Sequence, residues 1–247
     1  MQDSGSQVRY LNYRWPYPSK LQNTFYHSFG KNQALQTQSA LVIGATGLTG
    51  SLLLELLLQS SAYHTVHVYS RRSLGLQHPK LQEHLIDFDQ YQATVQADTL
   101  FCCLGTTIKK VKTKEAFKKV DLEYPVKFAR LQFGAGTKKM MVISAMGASA
   151  NSSFFYSRVK AEMESSLANI GFDQLTIFRP ALITGNRQEH RSGEKMAAMI
   201  NGWINPLLVG SLRKYRSIPA ATIAQSMLAH SLQENEKGCT ILLSDQI

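Results

Sequence analysis

Cysteine is scarce in this 247-residue chain: Cys102, Cys103 and Cys239 are the whole complement, an odd number without a CxxC spacing. That excludes a disulfide-stapled scaffold, gives no structural zinc signature, and fits packed thiols in a reducing compartment. No uncharged apolar stretch reaches the roughly 18 residues of a membrane span. The nearest, Met196 to Leu212, contains Asn201, Gly202, Asn205 and Pro206 and reads as a sticky helix and loop. The seven histidines form no HExxH or other metal-ligand spacing, and GxSxG is absent, so metal-assisted hydrolysis and acyl transfer drop out. Internal repeats are missing too. Acidic residues are the minority, 17 against 27 basic ones, for a net charge of +10. This balance admits nucleic acid, acidic membrane surfaces or anionic small molecules as partners. Distribution argues against nucleic acid: Lys109 to Lys119 holds six lysines against Glu115, without the interleaved aromatics that stacked bases need.

What is present is a globular composition, 44% apolar and 18% charged, enough to bury a core in one domain without staples. Residues 1–38 stand apart, rich in Tyr, Asn, Gln and Ser, without a sustained period and including Trp15-Pro16-Tyr17-Pro18. Arg9, Arg14, Lys20 and Lys31 against Asp3 could describe an organelle presequence, but the amphipathic spacing is poor and an extension of a cytoplasmic protein is the expected reading. From residue 39, short β-type runs alternate with helical ones. Strands are expected at Ala40–Ile43, Thr65–Tyr69, His84–Asp87, Thr99–Cys103, Lys139–Ser144, Gln174–Phe178 and Thr240–Leu243. Helices are expected at Leu48–Gln59, Thr113–Phe133 (adjusted around Pro125), Ser153–Asn169 and Ala220–Gln233. This alternation describes an α/β, doubly wound parallel sheet whose ligand crevice lies at the carboxyl ends of the strands.

The first strand runs into Gly44-Ala-Thr-Gly47-Leu-Thr-Gly50 and then a helix, where a dinucleotide pyrophosphate can rest on exposed backbone N–H groups. Gly44 permits the turn, Gly47 lets the backbone approach phosphate, and Gly50 lets the helix pack on the sheet; Thr46, Leu48 and Thr49 complete the candidate loop. At the end of strand two the acid that would select NAD(H) is missing. Ser70-Arg71-Arg72 stands there instead, and two guanidiniums suit the 2′-phosphate of NADP(H), which is favoured over NAD(H). The bland alternative is a solvated loop. Strand four ends in Leu104-Gly105-Thr106, small enough to pass beneath the ribose and nicotinamide side of such a cofactor.

Catalytic candidates are Ser144, after strand five, and Tyr156 and Lys160, one helical turn apart on the next helix. A nearby ammonium stabilises phenolate, lowering an ordinary tyrosine pKa of about 10 toward the range of a general acid. Ser144 could hold a substrate carbonyl oxygen, and Lys160 could also hold the nicotinamide ribose. Residues from about 181 to 219 are expected to form a small substrate-side subdomain; Met196, Met199, Ile200 and Trp203 there suggest either an apolar ligand or plain core. Two functions fit: reduction of a small-molecule carbonyl substrate, or cofactor sensing by an adaptor that binds a protein partner or forms a homo-oligomer, with little turnover.

Together, Gly44–Gly50, Ser70-Arg71-Arg72, Leu104-Gly-Thr-Thr107, Val142-Ile-Ser-Ala145, Tyr156-Ser-Arg-Val-Lys160 and Phe178-Arg-Pro180 resemble the atypical short-chain dehydrogenases/reductases, and most nearly their Tat-interacting-protein-like branch. The resemblance covers about residues 39–247 and includes Phe117-Lys-Lys-Val-Asp121 and Tyr215-Arg-Ser-Ile-Pro219. It implies a Rossmann core, NADP(H), and a Ser-Tyr-Lys group carried by Ser144, Tyr156 and Lys160. It also implies Asp87 as an adenine contact and Pro180 as a wall near the nicotinamide. One departure is Asp121, which stands where many relatives of the superfamily place an asparagine that relays protons.

Overall fold

The computed structural model describes residues 37–185, 210–233 and 237–247, and these belong to a compact unit beginning at Gln36. Its strands are β1 (Gln38–Ile43), β2 (Tyr63–Ser70), β3 (Leu81–Leu85), β4 (Thr99–Cys102), β5 (Lys139–Ile143), β6 (Gln174–Arg179), β7 (Ile183–Thr184), β8 (Ile218–Pro219) and β9 (Gly238–Leu243). Its helices are α1 (Leu48–Gln59), α2 (Ile108–Val111), α3 (Lys114–Lys118), α4 (Tyr124–Gly134), α5 (Phe155–Ala168) and α6 (Ala220–Leu232). Seven strands pair in parallel in the order β3-β2-β1-β4-β5-β6-β9, while β7 and β8 make a separate two-stranded pair. Strand order reverses between β1 and β4, which opens a crevice at their carboxyl ends.

β1 lies mid-sheet, and its apolar run Ala40–Ile43 is fully buried on both faces, as parallel sheets demand. Side chains alternate. Ala40 and Val42 join Leu53, Leu57, Ile223 and Met227 under α1 and α6; Leu41 and Ile43 join Phe128, Ala129, Val159 and Met163 under α4 and α5.

The expected long helix is present as α3, a π turn over Lys119–Glu123, and α4. Pro125 lacks the N–H that would bond four residues back, and the chain widens just before it: Tyr124 N–H reaches the Lys119 carbonyl, five residues earlier. Three expectations need correction. The third strand is Leu81–Leu85 rather than His84–Asp87; it is an edge strand whose register is set only by its pairing with β2. The first strand starts at Gln38, inside the expected extension, and Cys239 is exposed rather than packed. Residues 1–36 and Met196, Met199, Ile200 and Trp203 lie outside the described residues. Among the described residues no helix is long and apolar enough to cross a membrane.

Candidate functional site

The turn between β1 and α1 is built around glycine. Gly44 has φ 85°, and a Cβ there would lie 2.6 Å from the Cys103 carbonyl carbon. A Cβ on Gly50 would lie 2.2 Å from the Gly44 oxygen, so helix and turn touch backbone to backbone. Gly47 caps α1 with extended backbone and donates its N–H to the Gly44 carbonyl at 3.0 Å. No side chain caps this helix and no acid lies in its first turn. Its leading N–H groups and positive dipole end are therefore left to an anion, and this cradle fits a dinucleotide pyrophosphate. Thr49 is buried beneath the loop, and a Cβ built on Gly185 would come 3.1 Å from Leu48, which closes the side toward β7.

From Gly44 and Thr46 a crevice runs outward past Ser70, Arg71, Arg72 and Leu104. Both arginines are exposed. The loop carrying them is braced from below: the Ser70 hydroxyl donates to the Arg72 carbonyl at 2.9 Å, and Glu83 accepts from the Leu74 N–H at 2.7 Å and the Ser73 hydroxyl at 2.9 Å. Sequence reasoning missed the far wall. Tyr69, Phe88, Val120 and Tyr124 also line the crevice, with Phe88 and Tyr124 edge to face at 5.4 Å. Asp87 is not among the lining residues; its carboxylate accepts the Asp89 N–H at 2.9 Å and braces a turn.

At the other end, α5 presents Tyr156, Lys160 and Glu164 at successive turns. Tyr156 is 39% exposed, and its ring packs 5.6 Å from Phe117. Lys160 is buried and places Nζ 2.7 Å from Oδ1 of buried Asp121, whose Oδ2 accepts the Thr106 N–H at 2.9 Å. Burial by itself would lower the pKa of Lys160; the Asp121 carboxylate, with Tyr156 adding to it, outweighs that and holds the ammonium above its ordinary value. The loop of Leu104, Gly105 and Thr106 is thus tied to Lys160 through one carboxylate.

Ser144 follows β5, buried, with its N–H on the Phe178 carbonyl at 2.7 Å. Its hydroxyl donates to Glu164, and Arg179 clasps the same carboxylate, with Nε 3.0 and 3.1 Å from its two oxygens. The single Ser144 proton is therefore engaged, and Oγ retains lone pairs for an incoming donor. Pro180 is buried, and its carbonyl accepts the Met146 N–H at 2.9 Å. Glu164 and Arg179 were not among the expected site residues, although Glu164 lies four positions beyond Lys160 and Arg179 just before Pro180. Burial pushes the Cys102 thiol up to about 12 and raises Cys103 further, so neither is a thiolate nucleophile. Among the described residues no group of His, Cys, Asp and Glu is arranged to hold a metal ion.

Three comparisons bear on this arrangement. The HIM1 family model matches residues 74–206, more than half of the chain. Protein HTATIP2 of Rattus norvegicus is 34% identical over 201 residues, covering 78% of this chain and 81% of the relative. Protein fmp52, mitochondrial, of Aspergillus fumigatus is 36% identical over 171 residues, 65% of this chain and 73% of the relative. Among solved structures, a UDP-galactose 4-epimerase superposes with TM-score 0.62 at 18% identity, covering 83% of this chain and 76% of that one. MoeE5 in complex with UDP-glucose and NAD gives TM-score 0.60 at 14% identity, covering 83% and 75%. A short chain dehydrogenase family protein of Francisella tularensis gives 0.59 at 14%, covering 85% and 98%. At these identities the structural likeness establishes the doubly wound fold.

Proposed function

Because the chain belongs to the HIM1 family and to the Tat-interacting-protein-like branch of the atypical short-chain dehydrogenases/reductases, we propose that it is an NADPH-dependent oxidoreductase of the carbonyl reductase type. The observation that carries this reading is the glycine cradle at the uncapped start of α1, continuous with a crevice that ends at Arg71 and Arg72. When bound there, the reduced nicotinamide supplies hydride. Gly44, Thr46, Gly47, Leu48, Thr49 and Gly50 seat the diphosphate; Leu104, Gly105, Thr106 and Pro180 border the nicotinamide side. Arg71 and Arg72 meet the 2′-phosphate, and their guanidiniums favour NADP(H) over NAD(H). Tyr156 donates a proton to the carbonyl oxygen of a small-molecule substrate, and Lys160 tunes the phenol and binds ribose; Ser144 orients the reacting oxygen once its own proton turns from Glu164 to that oxygen.

The test is consumption of NADPH with a panel of aldehydes, ketones and quinones. Tyr156→Phe is expected to lose about 10²- to 10⁴-fold in turnover, the usual worth of a positioned acid. A Phe variant that turns over with the parent overturns the assignment.

A second reading, an NADP(H)-binding adaptor with little turnover, draws on the engaged Ser144 hydroxyl and the paired Lys160. Stabilisation by NADPH without turnover of any panel compound selects it. For location, the fungal relatives named mitochondrial favour an organelle over the cytoplasm, and subcellular fractionation decides between them.

A further inference from the structure

Lys160 enters the tyrosine-lysine motif as a lone cation, and the fold gives it a counter-charge. The side chains of Lys160 and Asp121 are 4% and 1% exposed, and their 2.7 Å contact is shielded from water. Asp121 stands on the π turn, and its second oxygen is held by the Thr106 N–H. A pair this close has no net charge, so a group beyond the contact meets a dipole rather than an unbalanced ammonium. Tyr156 stands four residues before Lys160 on α5, on the same helix face and one turn away, and so is such a group.

Among the described residues, other charged or titratable groups lie on the elements packed here, Lys114 among them, whose ammonium sits 5.5 Å from the centre of the Phe155 ring. Cys102 of β4 faces Lys160 as a neutral thiol. On α5, Glu164 is clasped by Arg179, Glu162 pairs with Lys118 of α3 at 3.3 Å, and Arg158 donates to the Ser152 and Ser153 carbonyls. The α3 face that meets Tyr156 does so with Phe117.

We propose that Asp121 is a positioning residue that neutralises Lys160 and thereby keeps Tyr156 in its protonated form, setting the site to deliver a proton to a carbonyl oxygen rather than to withdraw one from an alcohol. The inference rests on the reading of Tyr156 as the proton donor. In the reducing direction the carbonyl carbon receives hydride from the reduced dinucleotide, the π pair moves to oxygen, and that oxygen takes the Tyr156 proton. The resulting phenolate is reprotonated from water. An asparagine at 121 could still accept the Thr106 N–H but would leave the ammonium unbalanced, favouring phenolate and the reverse direction.

The experiment is an NMR pH titration of the full chain carrying [13Cζ]tyrosine, without dinucleotide, with the Tyr156 signal assigned by its loss in Tyr156→Phe. In Asp121→Asn the signal is expected to titrate about one to two pH units below the parent. In Asp121→Asn/Lys160→Met, where the charges are again balanced, it is expected to return to the parent value or above. A merely structural role for Asp121 would not produce that return. Lys160→Met alone, which serves even if Asp121→Asn fails to fold, is expected to titrate above the parent. Overlap of Asp121→Asn with the parent overturns the proposal, as does a double variant that stays low or a Lys160→Met signal that does not rise. Failure of the parent to bind NADPH would instead sink the oxidoreductase reading, while normal NADPH affinity with an unmoved Tyr156 would sink only this inference.

Discussion

Gly50 shows how little freedom single positions have where backbone meets backbone. A methyl group there collides with the Gly44 oxygen at 2.2 Å, an atom that cannot swing aside as a flexible side chain can. Gly50→Ala is therefore expected to destabilise the protein by about 1–3 kcal/mol, read as a lower urea midpoint. Gly134, near the end of α4, is the control: a Cβ there meets nothing within 4 Å and its φ is not positive. Gly134→Ala is expected to be neutral or stabilising by about 0.4–1 kcal/mol through the unfolded chain. Ser144 makes a different point at the same scale. Which atom a hydroxyl donates to decides whether it offers a proton or a lone pair, and here Glu164 takes the proton.

Between elements, the edge of the sheet carries a pH dependence. His67 on β2 and His84 on β3 approach at 3.1 Å, a hydrogen bond that needs at least one neutral ring as acceptor. Burial lowers both pKa values, with His84 and then His64 adding charge repulsion at His67. The His84 and Tyr69 rings also pack near-perpendicular, with centroids 5.5 Å apart. An unfolded imidazole titrates near ~6.5, so below that pH the unfolded chain binds more protons than the folded one. The contribution to stability is whole above about pH 6.5 and is lost as pH falls through the lower folded values. The urea midpoint is expected to drop between about pH 7 and pH 5, and His67→Gln/His84→Gln should flatten that drop. A slope unchanged by the double substitution would remove the pair as its cause.

Over the whole molecule, the segments that form the crevice follow β1, β2, β3 and β4 or belong to the π turn and the start of α4, elements joined by one sheet and its two helical layers. A ligand seated there is linked to the global unfolding equilibrium rather than to one loop. At one hundred times its dissociation constant, NADPH should add about 2.7 kcal/mol, visible as a thermal shift. NADPH is expected to stabilise more than NADH, and Arg71→Ala and Arg72→Ala are expected to erase the difference. Equal shifts for the two coenzymes in the parent would remove the arginines as selectors.

The doubly wound parallel sheet and the glycine turn were legible in the chain because each rests on local rules: buried β runs, helical spacing, and a backbone approach that only glycine permits. Leu48–Gln59 was readable to the residue for that reason. The partners of the site were not legible. Asp121 reaches Lys160 across the packing of the π turn on α5, and Glu164 gathers Ser144 and Arg179 from the ends of β5 and β6. Phe88 and Tyr124 meet over the crevice from separate segments, and β3 takes its register from β2 alone. Contacts of this kind depend on how crossovers bring distant segments together, so the sequence by itself supplied the candidate residues, and the tertiary structure decided which charge each one faces.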